Sequence, residues 1–326
     1  MKIALISMEV IPGRPDLNAA AMCAKIAEAR TAHADLALFP ALSLSGLILG
    51  GVWKQEPFLR DLADYAEKIA AAAEGITIVF GNAAAAESCT SIRRTLMEAR
   101  DGVLREVAHS PLDSTGNNFT PLLYELPNEN IILAADASPF PICLGADTLA
   151  DMARGKGTEI FYINAFGLQD KGKTVYTFPG RAYVFHANGE CVLMTAAYTE
   201  GMTVVDTDAL PSPASSPTET PIAPIHRMLR CGIQKFLTRI HMERVVIGIS
   251  GGIDSAVAAA LYVDAIGAEN VLLVNMPSRF NSATTKGLAA QLAENLGCRH
   301  MIVPIEESVT HTVEQLTTAP IMGKCA

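Results

Sequence analysis

The sequence predicts an α/β protein in two parts, a mixed-sheet part followed by a doubly wound parallel sheet. Two observations support this. Strand-like apolar runs alternate with helical stretches at both ends of the 326-residue chain. Between them, residues 207–224 hold five prolines among serines and threonines, and no periodic segment can run through that composition. We therefore predict a domain over 1–206, a linker over 207–224 and a second domain over 225–326.

The first part begins with alternating strands and helices. Strands are predicted at 2–10, 34–40 and 76–83, and helices at about 17–33 and 58–74. Beyond residue 90, the runs RRTLMEA, VLREVAH, LLYELP and IILAADA follow one another without helices, which indicates antiparallel sheet. A helix near 146–155, a strand at 159–165 and a hairpin over 181–197 complete this part, with Asn188-Gly189 at the turn. The expected packing is two layers of mixed sheet covered by helices.

The second part has the pattern of a parallel βαβαβ unit. A helix at 225–242 precedes three strands, at 244–250, 270–277 and 300–305, which are separated by helices at 254–267 and 284–297. Gly267 and Gly297 stand where those two helices should end, because glycine readily adopts the left-handed conformation of a helix terminus.

Composition and charge exclude several classes of function. The net charge of −9 argues against nucleic acid or an anionic membrane as the main partner. Seven scattered cysteines without a C-x-x-C spacing indicate reduced thiols in a cytoplasmic protein, and the histidines lack metal-ligand spacing. The most apolar stretch, 36–53, contains Pro40 and several serines and is predicted as a buried strand and loop, not a membrane span. No secretory leader precedes the first strand.

The strongest chemical signal is a glycine loop between a predicted strand and a predicted helix. It consists of Gly248, Ile249, Ser250, Gly251, Gly252, Ile253, Asp254 and Ser255. Adjacent glycines let the backbone approach an anion, and the amides at a helix start converge on it. Asp254 would repel a phosphate unless a divalent metal lies between them. The alternative is a purely structural glycine turn capped by serine and aspartate.

The string S-G-G-I-D-S at 250–255 resembles the pyrophosphate-binding loop of the N-type ATP pyrophosphatases. With the segments V-D-A-I-G-A-E-N-V-L-L-V-N-M-P-S-R, A-E-N-L-G-C and V-P-I-E, residues 225–310 resemble NAD synthetase. This resemblance implies that the loop binds ATP phosphates, that Asp254 holds Mg²⁺ and that residues 274–276 flank adenine. Arg279 either approaches the substrates or is a surface arginine. The implied reaction adenylates deamido-NAD, and ammonia then displaces AMP.

Residues 1–206 resemble the nitrilase-like amidase that releases ammonia from glutamine in glutamine-dependent members of that family. The similar segments include A-D-L-A-L-F-P-x-L-S-L-S-G, Y-I-N-x-x-G-L-Q-D and R-A-Y-V-F-x-x-N-G-E. The implied fold is an α-β-β-α sandwich, and the implied chemistry needs a cysteine nucleophile, a glutamate base and a lysine. Ala41 stands where the family has the glutamate of F-P-E-L, and there is no lysine between residues 69 and 155.

Cys143 is the candidate nucleophile, followed by Leu-Gly-Ala-Asp. In a second alignment, residues 137–140 (Ala-Ser-Pro-Phe) match a segment that follows the nucleophile in the family, and the cysteine is then absent. We favour Cys143 as a structural cysteine. The hypothesis is that the amidase fold persists without its chemistry.

Together these features predict ATP-dependent amidation of deamido-NAD to NAD, with ammonia or glutamine as the nitrogen source and ATP and Mg²⁺ as cofactors. The alternative is a catalytically silent ATP-binding, regulatory or scaffold protein derived from such an enzyme. The stretch after residue 240 is shorter than a typical domain, so the second domain is expected to be truncated. The resemblance also implies a homo-oligomer.

Overall fold

The computed structural model forms two compact units, Met1–Met228 and Leu229–Ala326. The residues that it describes are 1–86, 91–112, 120–170, 172, 174–213, 220–279 and 282–319. The division between the units falls inside a helix, Ile222–Arg239. The boundaries proposed above at residues 206 and 224 therefore stay predictions, and residues 214–219 of the proposed linker lie outside the described part.

The first unit contains a six-stranded sheet with helices packed on it. Its strands, in spatial order, are β13 (Gly201–Asp206), β1 (Lys2–Ser7), β2 (Leu36–Leu38), β3 (Thr77–Ala85), β4 (Ile92–Arg100) and β5 (Val103–Leu112). The strands β1, β2 and β3 are parallel, and the remaining pairs are antiparallel. The helices α1 (Pro15–Thr31) and α2 (Glu56–Ala71) connect the parallel strands, as the alternation in the sequence predicts.

A second sheet of five strands completes the layers of this unit. Its order is β12 (Cys191–Met194), β11 (Ala182–Phe185), β8 (Glu159–Asn164), β7 (Ile131–Asp136) and β6 (Leu122–Glu125). The strands β7 and β8 are parallel and are joined by α3 (Ala146–Lys156). A separate antiparallel pair consists of β9 (Phe166–Asp170) and β10 (Val175–Pro179).

Alternation along the strands of the second sheet divides its side chains between two cores. Leu133, Phe161 and Val184 belong to the large core that also contains the inner residues of the first sheet. Ile132, Ile160 and other residues of the opposite face pack with Leu149 and Ala153 of α3. The two sheets therefore face each other, with helices on the outside.

The second unit is a three-stranded parallel sheet with helices. The strands are β14 (Val245–Gly248), β15 (Val271–Asn275) and β16 (Arg299–Ile302), in that spatial order. The helices are α4 (Ile222–Arg239), which begins within the first unit, α5 (Ile253–Ile266), α6 (Ala283–Leu296) and α7 (Glu306–Thr318). Val271 and Leu273 pack with Ala259 of α5 and with Ala289 and Ala293 of α6.

Most of the elements predicted from sequence are confirmed, although the strands β9, β10 and β13 were not predicted. The parallel unit is present, and Gly267 and Gly297 follow their helices at φ values of +87° and +67°. However, α7 occupies a polar stretch for which no helix was predicted, and α4 and a short 3₁₀ turn, Thr207–Ala209, take up part of the proposed linker. Residues 320–326, Cys89 and Cys325 lie outside the described part.

The apolar stretch 36–53 forms a buried strand followed by turns and a 3₁₀ helix, as predicted. In the part of the chain that the structure describes, no helix has both the length and the apolar character needed to cross a membrane.

Candidate functional site

The glycine loop lies at the carboxyl edge of the parallel sheet, between β14 and α5. Its second residue, Ile249, is buried, and its amide donates a hydrogen bond to the carbonyl of Val274 over 2.9 Å. This contact fixes the start of the loop to the neighbouring strand. The carboxyl edge of a parallel sheet is where ligands bind in open α/β folds.

Hydrogen bonds within the loop hold its backbone in place. The Oγ of Ser255 accepts a bond from the amide of Ser250 (3.3 Å) and donates one to the carbonyl of Gly252 (3.0 Å). The amide of Gly252 donates to the Oγ of Ser250 over 3.3 Å. Gly251 has φ +83°, a conformation that disfavours other residues. The first-turn amides of α5 receive no side-chain cap from Gly252, so they remain available to an anion.

Asp254 is exposed in the first turn of α5. Among the described residues, its carboxylate has no hydrogen bond or ion pair, and no group of three or more His, Cys, Asp or Glu side chains is arranged to hold a metal. A single exposed carboxylate fits a Mg²⁺ ion that takes most of its ligands from phosphates and water.

Two further residues considered above, Met276 and Arg279, follow β15 at the same edge of the sheet. Met276 follows β15 and is close to the loop, since a Cβ on Gly248 would lie 3.5 Å from its Cε. Arg279 pairs with Glu306 of α7, with 3.5 Å between Nε and Oε1, and its amide donates to Oε2 over 2.9 Å. Glu306 therefore holds the arginine beside α7.

In the first unit, Ala41 stands at the position expected to hold the amidase glutamate, and the surrounding atoms pack tightly against it. Ala41 is fully buried, and its amide donates to the carbonyl of Asp136 over 3.2 Å. Gly81 packs so closely that a Cβ there would lie 2.4 Å from the Cα of Ala41. A methyl group cannot accept a proton, so Ala41 cannot act as a general base.

Cys143 lies after β7, in a turn where its amide donates to the carbonyl of Pro139 over 3.0 Å. Burial, with the nearby charge of Asp136, raises the pKa of its thiol to about 11. The attacking species in thiol catalysis is the thiolate, and near neutral pH this thiol is protonated. The environment of Cys143 therefore matches the structural reading better than the nucleophilic one.

A buried polar cluster beside Cys143 was not found by sequence reasoning. Asp136 is fully buried; its Oδ1 accepts bonds from the Oγ of Ser138 (2.5 Å) and the amide of Ala137 (2.7 Å), and its Oδ2 accepts one from the hydroxyl of Tyr162 (2.7 Å). Burial raises the pKa of Asp136 despite these bonds. Asp136 and Tyr162 are 26 positions apart, and no motif in the sequence links them.

A buried cation was missed as well. Arg94 of β4 is only 1% exposed and donates to the carbonyl of Thr120 over 2.9 Å and to the Oγ of Ser110 over 3.3 Å. It pairs in register with Ser110 of β5. A buried positive side chain is therefore present on β4, but it is an arginine and not the lysine that the resemblance implies.

Comparison with known proteins identifies the relatives of both units. Residues 225–323 match the family model for NAD synthase. The chain is 28% identical to the glutamine-dependent NAD(+) synthetase of Xylella fastidiosa, over 94% of this chain and 64% of that protein. A Rhodobacter capsulatus protein of the same description is 35% identical, over 46% of this chain and 28% of its own length.

Solved structures support the two-part fold described above. A glutamine-dependent NAD+ synthetase from Acinetobacter baumannii, determined in complex with ADP, superposes with a TM-score of 0.81 at 23% identity, over 98% of this chain and 68% of that one. An amidase of the nitrilase superfamily from Nesterenkonia has a TM-score of 0.52 at 17% identity, over 63% of this chain and 90% of its own. The nitrilase-like sandwich followed by a parallel-sheet unit is thus confirmed as the fold class. The chain spans about two thirds of the length of such synthetases, 64% for the Xylella protein.

Proposed function

Because the chain is a relative of the glutamine-dependent NAD(+) synthetases, we propose that it uses ATP to convert deamido-NAD into NAD through an adenylated intermediate. The observation that carries this proposal is the loop 248–255, which has open first-turn amides and an exposed Asp254 within the residues that match the NAD synthase model. Loops of this geometry bind phosphates through the backbone and the helix dipole.

In the first step, an oxygen of the nicotinate carboxylate attacks the α-phosphorus of ATP, and the bond from that phosphorus to the β-phosphate oxygen breaks. Negative charge then grows on the departing pyrophosphate. In this proposal the first-turn amides of α5 and the hydroxyl of Ser250 stabilise that charge. Asp254 would hold Mg²⁺, which would neutralise phosphate charge when bound. In the second step ammonia attacks the carbonyl carbon, AMP leaves and the nitrogen loses a proton.

The nitrogen donor in this proposal is ammonia. Three observations support it: Ala41 replaces the general base, the thiol of Cys143 is protonated near neutral pH, and no lysine occurs between residues 69 and 155. The nitrilase-like unit then serves as a scaffold or association surface, and the active species would be a homo-oligomer. The proposed location is the cytoplasm, where thiols stay reduced, because the five cysteines among the described residues are all free thiols.

A steady-state assay with ATP, Mg²⁺ and deamido-NAD tests the proposal, with ammonia or glutamine supplied in separate reactions. We expect NAD formation with ammonia, no formation with glutamine, and a loss of at least about a hundredfold in Asp254→Ala. Glu294→Ala, which removes an exposed acid from α6, is the matched control and should keep full activity.

Two results would contradict the proposal. Retained Mg²⁺-dependent ATP binding without any turnover would favour a silent ATP-binding protein. Glutamine-dependent NAD formation that is lost in Cys143→Ala would show that the amidase unit is active.

A further inference from the structure

The first unit contains a cavity of about 280 Å³ beside Cys143. The loop after β7, the strands β8 and β11 and the segment around Tyr198 line it, and so does Arg227 of the same unit. Ligand pockets are typically concave and mostly apolar, with a few polar groups that fix orientation. This cavity matches that description in its lining and lies slightly below the usual volume of about 300–1,000 Å³.

The walls of the cavity are aromatic. Phe140, Tyr162, Tyr183 and Tyr198 line it, and the rings of Tyr162 and Tyr183 lie 5.9 Å apart between centroids. Tyr198 has a left-handed backbone, φ +62°, and its amide donates to the carbonyl of Pro179 over 2.7 Å. A bulky residue in this conformation is strained, and such residues concentrate at ligand-binding sites.

The charge of the cavity wall is positive. Arg181 and Arg227 line it, and no Asp or Glu is among its described lining residues. The guanidinium of Arg181 donates from Nη1 to the hydroxyl of Tyr183 over 3.2 Å and contacts the sulfur of Met194 at 3.7 Å. Its Nε is buried without a hydrogen-bond partner, and Nη2 has none among the described residues. Because Nε is buried, Nη2 is the donor that a carboxylate in the cavity can use, and such a charge-assisted hydrogen bond is stronger than one between neutral groups.

The groups around the cavity favour binding over reaction. The thiol of Cys143 is not activated, because burial raises its pKa to about 11. The hydroxyl of Tyr162 is engaged as a donor to Asp136. No described lining residue is placed as a general base. We therefore expect a bound ligand to be released without chemical change.

We propose that this cavity binds a small aromatic monocarboxylate, with the ring against the tyrosines and the carboxylate on Arg181. A fully polar anion such as inorganic phosphate matches the cation but not the aromatic walls. A neutral ring of the same size matches the walls but leaves the guanidinium unpaired. The cavity lies within the unit Met1–Met228, and this proposal does not depend on the synthetase reaction.

Titration calorimetry of the full chain with benzoate tests the site, with benzyl alcohol and inorganic phosphate as comparison ligands. We expect benzoate to bind at least about tenfold more tightly than either of them. Arg181→Met should weaken benzoate binding by a similar factor. Arg60→Met, which removes an exposed arginine from α2, should not change it.

Alkylation with N-ethylmaleimide, followed by peptide mass analysis, gives a second readout on the unmodified sequence. Benzoate should slow the modification of Cys143 several-fold and leave Cys23 and Cys298, which lie outside the cavity, unaffected. Equal binding of benzyl alcohol or phosphate would overturn the proposal. So would the absence of both a benzoate binding signal and Cys143 protection at about 10 mM ligand.

Discussion

The hydroxyl of Tyr162 donates a hydrogen bond of 2.7 Å to the carboxyl group of Asp136, which has no exposed surface. The two residues belong to neighbouring parallel strands, β8 and β7. This pair couples the stability of the first unit to pH, because burial raises the pKa of Asp136.

A raised folded-state pKa means that the folded chain binds the proton more tightly than the unfolded chain does. The stabilisation from Asp136 is therefore fully present below the unfolded value of 3.8 and is lost as pH rises through the higher folded pKa. We expect Asp136→Asn to gain stability relative to the parent chain as pH rises from about 4 towards 7. Urea unfolding at a series of pH values measures this difference. Asp147→Asn, an exposed change on α3, is the control, and parallel pH curves for the parent and Asp136→Asn would contradict the assignment.

Gly81→Ala should destabilise the first unit. The new Cβ would lie 2.2 Å from the amide nitrogen of Leu42 and 2.4 Å from the Cα of Ala41, so the backbone must shift. Overpacking of this kind costs about 1–3 kcal/mol in the free energy of unfolding. Gly155→Ala on α3 meets no atom within 4 Å and should be neutral or stabilising by up to about 1 kcal/mol. Denaturant midpoints compare the two, and equal midpoints would show that the 39–45 segment is loosely packed.

Ala41→Glu should fail to restore glutamine hydrolysis. The side chain at this position is fully buried, so the substitution places a carboxyl group in the core without a defined partner and lowers stability by several kcal/mol. Ala20→Glu, at an exposed position of α1, should leave stability within about 0.5 kcal/mol of the parent. Thermal unfolding and a glutaminase assay on both variants check the prediction. Recovered hydrolysis in Ala41→Glu would mean that the rest of the amidase site is intact.

Ser255→Ala should weaken ATP binding with little effect on the fold. The change removes the hydroxyl that joins the amide of Ser250 to the carbonyl of Gly252, so the loop loses its preorganised shape. One net hydrogen bond is worth about 1 kcal/mol, which corresponds to about a fivefold rise in Kd. Calorimetry with Mg-ATP measures the change, and Ser308→Ala, exposed on α7, is the comparison. An unchanged Kd would place the phosphates away from Ser250 and Gly252.

Local signals in the sequence were sufficient for most of the fold. The alternation of strands and helices, the two terminal glycines at 267 and 297, and the loop 248–255 each depend on neighbouring residues, and the structure has all of them in place. The helix α7 was missed although Val309, Val313 and Leu316 recur at helical spacing, because its other side chains are polar and none of its residues is buried.

In the nitrilase-like unit, the environments of several residues depend on contacts between residues that are distant in the sequence. The sequence itself shows alanine at position 41 and no lysine between residues 69 and 155. It gave no sign that Arg94 is buried opposite Ser110, because that contact depends on the pairing register of β4 and β5. It left two readings of Cys143 open, since the pKa of a thiol depends on burial and on charges distant in sequence.

The sequence by itself determined the order of most elements, the glycine loop at 248–255 and the alanine at position 41, because each is recognised from adjacent residues. Only the tertiary structure decided that Asp136 lies next to Tyr162 and that Ala41 is fully buried in the core. It also decided that Cys143 borders a cavity lined by aromatic rings and arginines. These features arise when sheet register and packing bring distant residues together, and that proximity sets their exposure, pKa values and chemistry.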